Sequence, residues 1–171
     1  MINLEAVVDY LKNNNIVLTT AESCTAGLVV SELARVPGSG GCIDCGLAVY
    51  SPESKNRYLN VSFDTIDRYG LTSEEVALEM AHGALNRNNA TIALSNSGVA
   101  GPAPSDDGTP AGRVCFAWAV RCGEKTYQYS ETCDFDGDRN EVRLTAAHYA
   151  LERLAHYHQL AQQHEHPSRE S

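Results

Sequence analysis

Short runs rich in β-branched residues alternate with stretches of helical spacing along the first half of this chain. That alternation restricts its fold more than any other feature. Leu4, Val7, Val8 and Leu11 recur at helical spacing over residues 3–14, and Ile16 to Ala21 then reads as a strand. Leu28, Val29, Leu33 and Ala34 return to a helical pattern between Thr25 and Arg35, which the Pro37-Gly-Ser-Gly-Gly41 loop ends. Gly46 to Tyr50 reads as a second strand, and Ser51-Pro52 as a helix start, because proline suits the first helical position. Thr72 or Ser73 can cap a helix reaching Arg87, with Val76, Met80, Ala84 and Leu85 as its apolar stripe, before a strand at Thr91 to Leu94. Later the pattern changes: Val114–Val120 and Thr126–Thr132 read as two strands joined by a turn at Cys122-Gly123, followed by a helix from Asp138 to about Gln159. Parallel units followed by a hairpin predict an α/β sandwich with a mixed sheet flanked by helices. With 171 residues, no repeat and no linker, the expectation is a single domain over residues 1–160 and a polar tail over 161–171.

Composition narrows the function. The formal charge is −9 and the pI about 5.0, which opposes nucleic-acid binding, since that requires cations to displace phosphate counterions. No run approaches the apolar length of a membrane span, and the N-terminus lacks the basic start and apolar core of a secretion signal. The expectation is a soluble cytoplasmic protein with no membrane partner. Six cysteines include one Cys42-Ile-Asp-Cys45 pair, but Cys24, Cys115, Cys122 and Cys133 supply no matching second pair, so they read as reduced thiols in or near the core. His156, His158, His164 and His166 fall at or after the end of the last expected helix and read as polar tail residues, not metal ligands.

Two strand-to-helix junctions carry candidate chemistry. In Thr19-Thr-Ala-Glu-Ser-Cys-Thr-Ala-Gly27 a serine passes from a strand end toward a helix start, where free backbone N–H groups stabilise an oxyanion. The small residues Ala26 and Gly27 allow close approach of a substrate. A helix cap is the plain alternative. In Tyr50-Ser-Pro-Glu-Ser-Lys55 a lysine falls in the first helical turn, where the helix dipole and burial both favour the neutral amine that a general base needs; a solvated surface lysine is the alternative. Ser97-Gly-Val-Ala-Gly101-Pro102 is a glycine-bearing loop able to form an anion-binding concavity, and it matches neither the dinucleotide nor the Walker A spacing. Gly137-Asp-Arg139, with Arg143 one turn later, puts a guanidinium at a helix start.

These four motifs, in this order, resemble the C-terminal domain of the CinA family, which includes the bacterial nicotinamide-nucleotide amidohydrolases. The resemblance extends from about residue 4 to residue 158. It implies a three-layer α/β domain, a homodimer, no cofactor or metal, and hydrolysis of the carboxamide of nicotinamide mononucleotide, a small-molecule nucleotide substrate, to the carboxylate and ammonia. It also implies a dyad of Ser23 and Lys55 with Tyr50 nearby, Arg139 on the substrate, and Thr25, Gly27 and the Ser97, Gly98, Ala100 and Gly101 loop, with Ala26, as pocket walls.

The chain departs from the family pattern in two places. Thr25-Ala26-Gly27 stands where Thr-Gly-Gly is usual, and Ala103-Pro104-Ser105-Asp106-Asp107 follows Pro102 where Asp-Gly-Gly is usual. The second change keeps open an alternative, a catalytically altered or inactive paralogue that binds a nucleotide-like ligand. A thiol enzyme built on Cys24 or on Cys42 and Cys45 is a third class. A short-chain dehydrogenase is set aside, because four residues separate Tyr50 from Lys55 where that family has three, and no glycine-rich dinucleotide turn follows the first strand.

Overall fold

A computed structural model describes residues 2–165. Five strands form one mixed sheet in the order β2-β1-β3-β4-β5: β1 is Leu18–Glu22, β2 Ile43–Ala48, β3 Ile92–Gly98, β4 Arg113–Cys122 and β5 Lys125–Asp134. β1 pairs in parallel with both β2 and β3, whereas β3–β4 and β4–β5 are antiparallel. The mixed sheet and the hairpin turn expected at Cys122-Gly123 are both present. β2 starts and ends earlier than the expected 46–50, so Tyr50 lies two residues beyond its end.

Alternation along β4 decides how the layers stack. Val114, Phe116, Trp118 and Val120 point to one face and pack with α1 (Leu4–Asn13), α2 (Leu28–Ala34) and α6 (Arg139–Glu165). Cys115, Ala117 and Ala119 point to the other, against α3 (Pro52–Leu59) and α5 (Glu74–Arg87). Large residues fill the first interface. Small ones let α5 approach closely on the second, where Gly83 lies against Leu59: a Cβ on it would meet the Leu59 carbonyl oxygen at 1.9 Å. The result is three layers, helix–sheet–helix.

Two helices differ from expectation. α4 (Phe63–Tyr69) was not legible because none of its residues is buried, which leaves no apolar stripe; Ser62 caps it through Asp64 N–H. α6 runs to Glu165, beyond the expected end near Gln159, so His164 is helical along with His156 and His158. His158 is buried, its Nδ1 2.8 Å from the Tyr10 hydroxyl, which ties α6 to α1. His166 lies outside the described residues. No helix among the described residues is long and apolar enough to cross a membrane.

The topology creates one special edge. The chain leaves β1 through α2 on one face and returns from β2 to β3 through α3, α4 and α5, with α3 and α5 packed on the other face. β1 and β3 are neighbours whose following segments depart in opposite directions. Their carboxyl ends therefore flank a crevice, where open α/β sheets bind ligands.

Candidate active site

Ser23 follows β1 directly and Lys55 lies in the first turn of α3 after β2, so the parallel pairing of the two strands brings both to the crevice. Lys55 Nζ is 2.9 Å from Ser23 Oγ, and both residues are buried, with Lys55 only 1% exposed. Nζ also donates to the carbonyls of Val49 and Tyr50, each at 2.9 Å. No carboxylate pairs with Lys55 among the described residues. Burial without a counter-charge pushes the amine down from 10.5 to about 8. A neutral amine there spends its two N–H bonds on the two carbonyls and turns its lone pair to the serine hydroxyl, the geometry of a general base beside a nucleophile.

The environment of Ser23 differs from a simple helix start. α2 begins at Leu28, after a turn in which Ala26 and Gly27 both have positive φ (50° and 92°). The free N–H groups expected to hold an oxyanion between Cys24 and Gly27 are partly consumed. Gly27, Val29 and Val30 N–H donate to the Glu22 carboxylate at 2.8, 3.0 and 3.1 Å, and Ala26 N–H donates to the Ser23 carbonyl at 3.1 Å. Ser23 N–H is held by the Asn96 carbonyl at 3.1 Å. Only the amides of Cys24 and Thr25 in this turn donate to no protein group among the described residues.

Glu22 organises the junction. Fully buried, it accepts from Thr20 and Thr25 hydroxyls as well as the three amides, so the carboxylate plays the part of an anion bound at the helix start. Glu22→Ala leaves those donors unpaired in the core. It is expected to cost about 3–5 kcal/mol, the scale of breaking a buried charged network, read by calorimetry as a drop in Tm of roughly 6–20 °C.

Around this junction Asn96 Nδ2 donates to Thr25 Oγ1 at 2.8 Å, and Arg143 reaches from α6 to the carbonyls of Cys24 and Thr25 at 3.0 and 2.9 Å. The Gly-Asp-Arg segment explains the placement: Asp138 caps α6 through Asn140 and Glu141 N–H, and Glu141 returns the bond to Asp138 N–H, a reciprocal cap. Arg139 then donates to the Gly101 carbonyl at 2.7 Å and to the Tyr50 hydroxyl at 3.0 Å. The Tyr50 side chain makes no hydrogen bond to Ser23 or Lys55; it is the Tyr50 carbonyl that engages the amine.

A cavity of about 370 Å³ opens onto the dyad, lined by Ser23, Cys24, Tyr50, Lys55, Ser97 and Gly98 with Leu71, Thr72, Val99 and the loop residues Ser105, Asp106 and Asp107. Thr25, Ala26, Gly27, Ala100, Gly101 and Arg139, expected as walls or substrate contacts, do not line it. Thr25 is instead fully buried between Glu22 and Asn96, and Arg139 stands outside the cavity behind the Tyr50 hydroxyl. Cys24 lines the cavity, but burial pushes its thiol up to about 12, so it stays protonated and poorly nucleophilic. All six cysteines are unpaired, Cys42 and Cys45 among them. No group of three or more His, Cys, Asp or Glu side chains able to hold a metal occurs among the described residues.

The model of the CinA C-terminal domain matches residues 3–158. The chain belongs to that family. The CinA-like protein of Chlorobium phaeobacteroides (strain BS1) is 42% identical over 152 residues, which are 88% of this chain but 36% of that longer protein. The nicotinamide-nucleotide amidohydrolase PncC of Escherichia coli (strain K12) is 40% identical over 150 residues, 88% of this chain and 89% of PncC. The crystal structure of the competence or damage-inducible protein from Enterobacter asburiae is 37% identical with a TM-score of 0.83, over 90% of this chain and 94% of that one. A CinA superfamily protein from Klebsiella pneumoniae aligns with a TM-score of 0.85 at 32% identity, over 93% and 99%. The CinA fold thus accounts for the three layers. Within it, the motif read as Ala21 to Gly27 contains Glu22, whose structural role had no signal in spacing or polarity. Asn96, which carries no distinguishing pattern in the sequence, joins the two strand ends through its side-chain amide.

Proposed function

We propose that this chain hydrolyses the carboxamide of nicotinamide mononucleotide, with Ser23 as nucleophile and Lys55 as its base. The contact between a buried, uncompensated Lys55 amine and the Ser23 hydroxyl carries this reading, and the similarity to PncC over nearly the whole length of both chains supports the choice of substrate. Neutral Lys55 takes the Ser23 proton as Oγ bonds to the amide carbon. Cys24 N–H, on the cavity wall and without a protein partner, is the amide left to meet the resulting oxyanion. The C–N bond then breaks, Lys55 returns its proton to the leaving nitrogen, and ammonia departs from an ester on Ser23. Water, deprotonated by Lys55, adds to that ester; the C–Oγ bond breaks, Ser23 regains its proton and the carboxylate leaves.

Ammonia and nicotinic acid mononucleotide, measured together after incubation with nicotinamide mononucleotide, test the reading; absence of both would sink it. A pH profile adds a sharper expectation. The active form has Lys55 neutral, so kcat/KM should rise close to tenfold per unit at acidic and neutral pH and level off above about 8, where the amine has lost its proton. A flat profile between pH 6 and 9 would exclude Lys55 as the base.

A further inference from the structure

We propose that the outer wall of the Ser23 cavity selects a positively charged planar ring, through Asp106, Asp107 and the face of Tyr50. The inference rests on the amidase reading and specifies which amides that site accepts. The cavity has a buried end and an exposed end. Ser23, Lys55 and Ser97 form the first; Tyr50, Asp106 and Asp107, all exposed, form part of the second. Neither aspartate forms an ion pair among the described residues.

Asp107 is held in place: its Oδ1 accepts from Thr109 N–H at 3.0 Å and from the Ser105 hydroxyl, inside a loop closed by Ser105 N–H to the Thr109 carbonyl at 3.0 Å. Those bonds, the Ser105 hydroxyl first, keep the carboxyl below its usual range, so it is ionised at neutral pH. The Tyr50 side chain is likewise anchored, by Arg139 at its hydroxyl, and Tyr50 lines the same opening. Arg139 itself does not line the cavity. The cavity therefore carries negative charge and an aromatic face at its mouth, with the single amine of Lys55 at its floor already engaged by three oxygens.

A cationic aromatic ring gains from both features of that mouth: the carboxylates attract its charge and the tyrosine face attracts it further. A neutral ring gains only stacking, and an anionic one is repelled. The positive ring also withdraws electrons from the attached carboxamide, which favours attack by Ser23. An anionic group carried by the same ligand would lie beyond Tyr50, toward Arg139. Reducing the ring to its neutral dihydropyridine form removes the attraction while keeping the amide.

Binding measured on the Ser23→Ala chain tests this independently of turnover. The probes are nicotinamide methylated at its ring nitrogen, a cation, and nicotinamide itself, which is neutral. At low ionic strength the cation is expected to bind about tenfold more tightly, and Asp106→Asn/Asp107→Asn to reduce that preference below about threefold. Asparagine keeps the Oδ1 acceptor of Asp107, and Asp106→Asn alone, at an exposed position, should fold normally and remove part of the preference. Equal binding of the two probes, a preference unchanged in the double variant, or no binding of the cation at about 10 mM would overturn the proposal. Ammonia release by the wild-type chain from oxidised and from reduced nicotinamide mononucleotide separates the two claims. Release from neither removes the amidase reading while leaving the binding result to stand, whereas equal release from both contradicts charge selection alone.

Discussion

Ser23→Ala is expected to lower kcat for ammonia release from nicotinamide mononucleotide by about 1,000-fold or more, while Tm stays within a few degrees of wild type. The size follows from what remains in the cavity. Lys55 can still deprotonate a water, and Cys24 N–H still lies on the cavity wall, so some hydrolysis above background persists. The neighbouring thiol offers no substitute, since burial holds Cys24 protonated at neutral pH. Stability should change little, because the lost hydroxyl is a small group whose hydrogen bond is to the lysine amine. Stopped assays of ammonia at pH 8 would read the difference directly. Wild-type and Ser23→Ala chains with the same rate would remove the serine mechanism. If neither turned over but both bound the nucleotide, the alternative raised by the altered loop, a ligand-binding paralogue, would be the better description.

Much of this arrangement was legible because two periodicities are written plainly in the chain. The alternation Val114, Phe116, Trp118, Val120 against Cys115, Ala117, Ala119 marks β4 as a central strand with unequal faces. The apolar stripe from Val76 to Leu85 marks the helix on the small-residue face. The same patterns put Ser23 at a strand end and Lys55 in the first turn of the helix after the next strand, and parallel pairing of β1 with β2 makes those two junctions neighbours. What spacing does not encode is which polar group satisfies which. Glu22 precedes the nucleophile and reads as an ordinary acid, yet it saturates the start of α2, which leaves only the amides of Cys24 and Thr25 in this turn without a protein partner among the described residues. Arg139, which the family resemblance puts on the substrate, donates to the Gly101 carbonyl and the Tyr50 hydroxyl and lies outside the cavity lining, partners that its position in the sequence does not indicate. The loop from Ala103 to Asp107 stood out only as a departure from the family pattern. Its placement on the cavity is a tertiary fact, since it folds back across residues distant in sequence such as Leu71 and Thr72.

Lys55→Met is expected to cost activity as severely as Ser23→Ala, about 1,000-fold in kcat, with little change in folding stability at pH 7. A buried amine pushed from 10.5 to about 8 is held against its tendency to bind a proton. At one pKa unit per 1.36 kcal/mol, this corresponds to roughly 3 kcal/mol of destabilisation at pH 7 in the wild-type chain. The sign is fixed by the direction of the shift: the folded state binds the proton less tightly than the unfolded one, so the penalty is complete below pH 8 and disappears above 10.5. Methionine fills nearly the same volume and removes that penalty. Against it stand three lost hydrogen bonds, to the Ser23 hydroxyl and the carbonyls of Val49 and Tyr50, about 1.5–4.5 kcal/mol together. The two contributions nearly cancel, so Tm at pH 7 should stay within a few degrees of wild type, and wild type should gain on the variant as pH rises toward 10. Lys55→Ala is the poorer probe, because deleting a buried side chain of this size leaves a cavity worth about 2–5 kcal/mol and confuses lost chemistry with lost packing. The decisive comparison is the pH profile of whatever activity Lys55→Met retains. With the amine gone, the rise toward pH 8 should vanish along with the rate. A residual activity that still climbed through the same pH range would mean that another group, not Lys55, supplies the base.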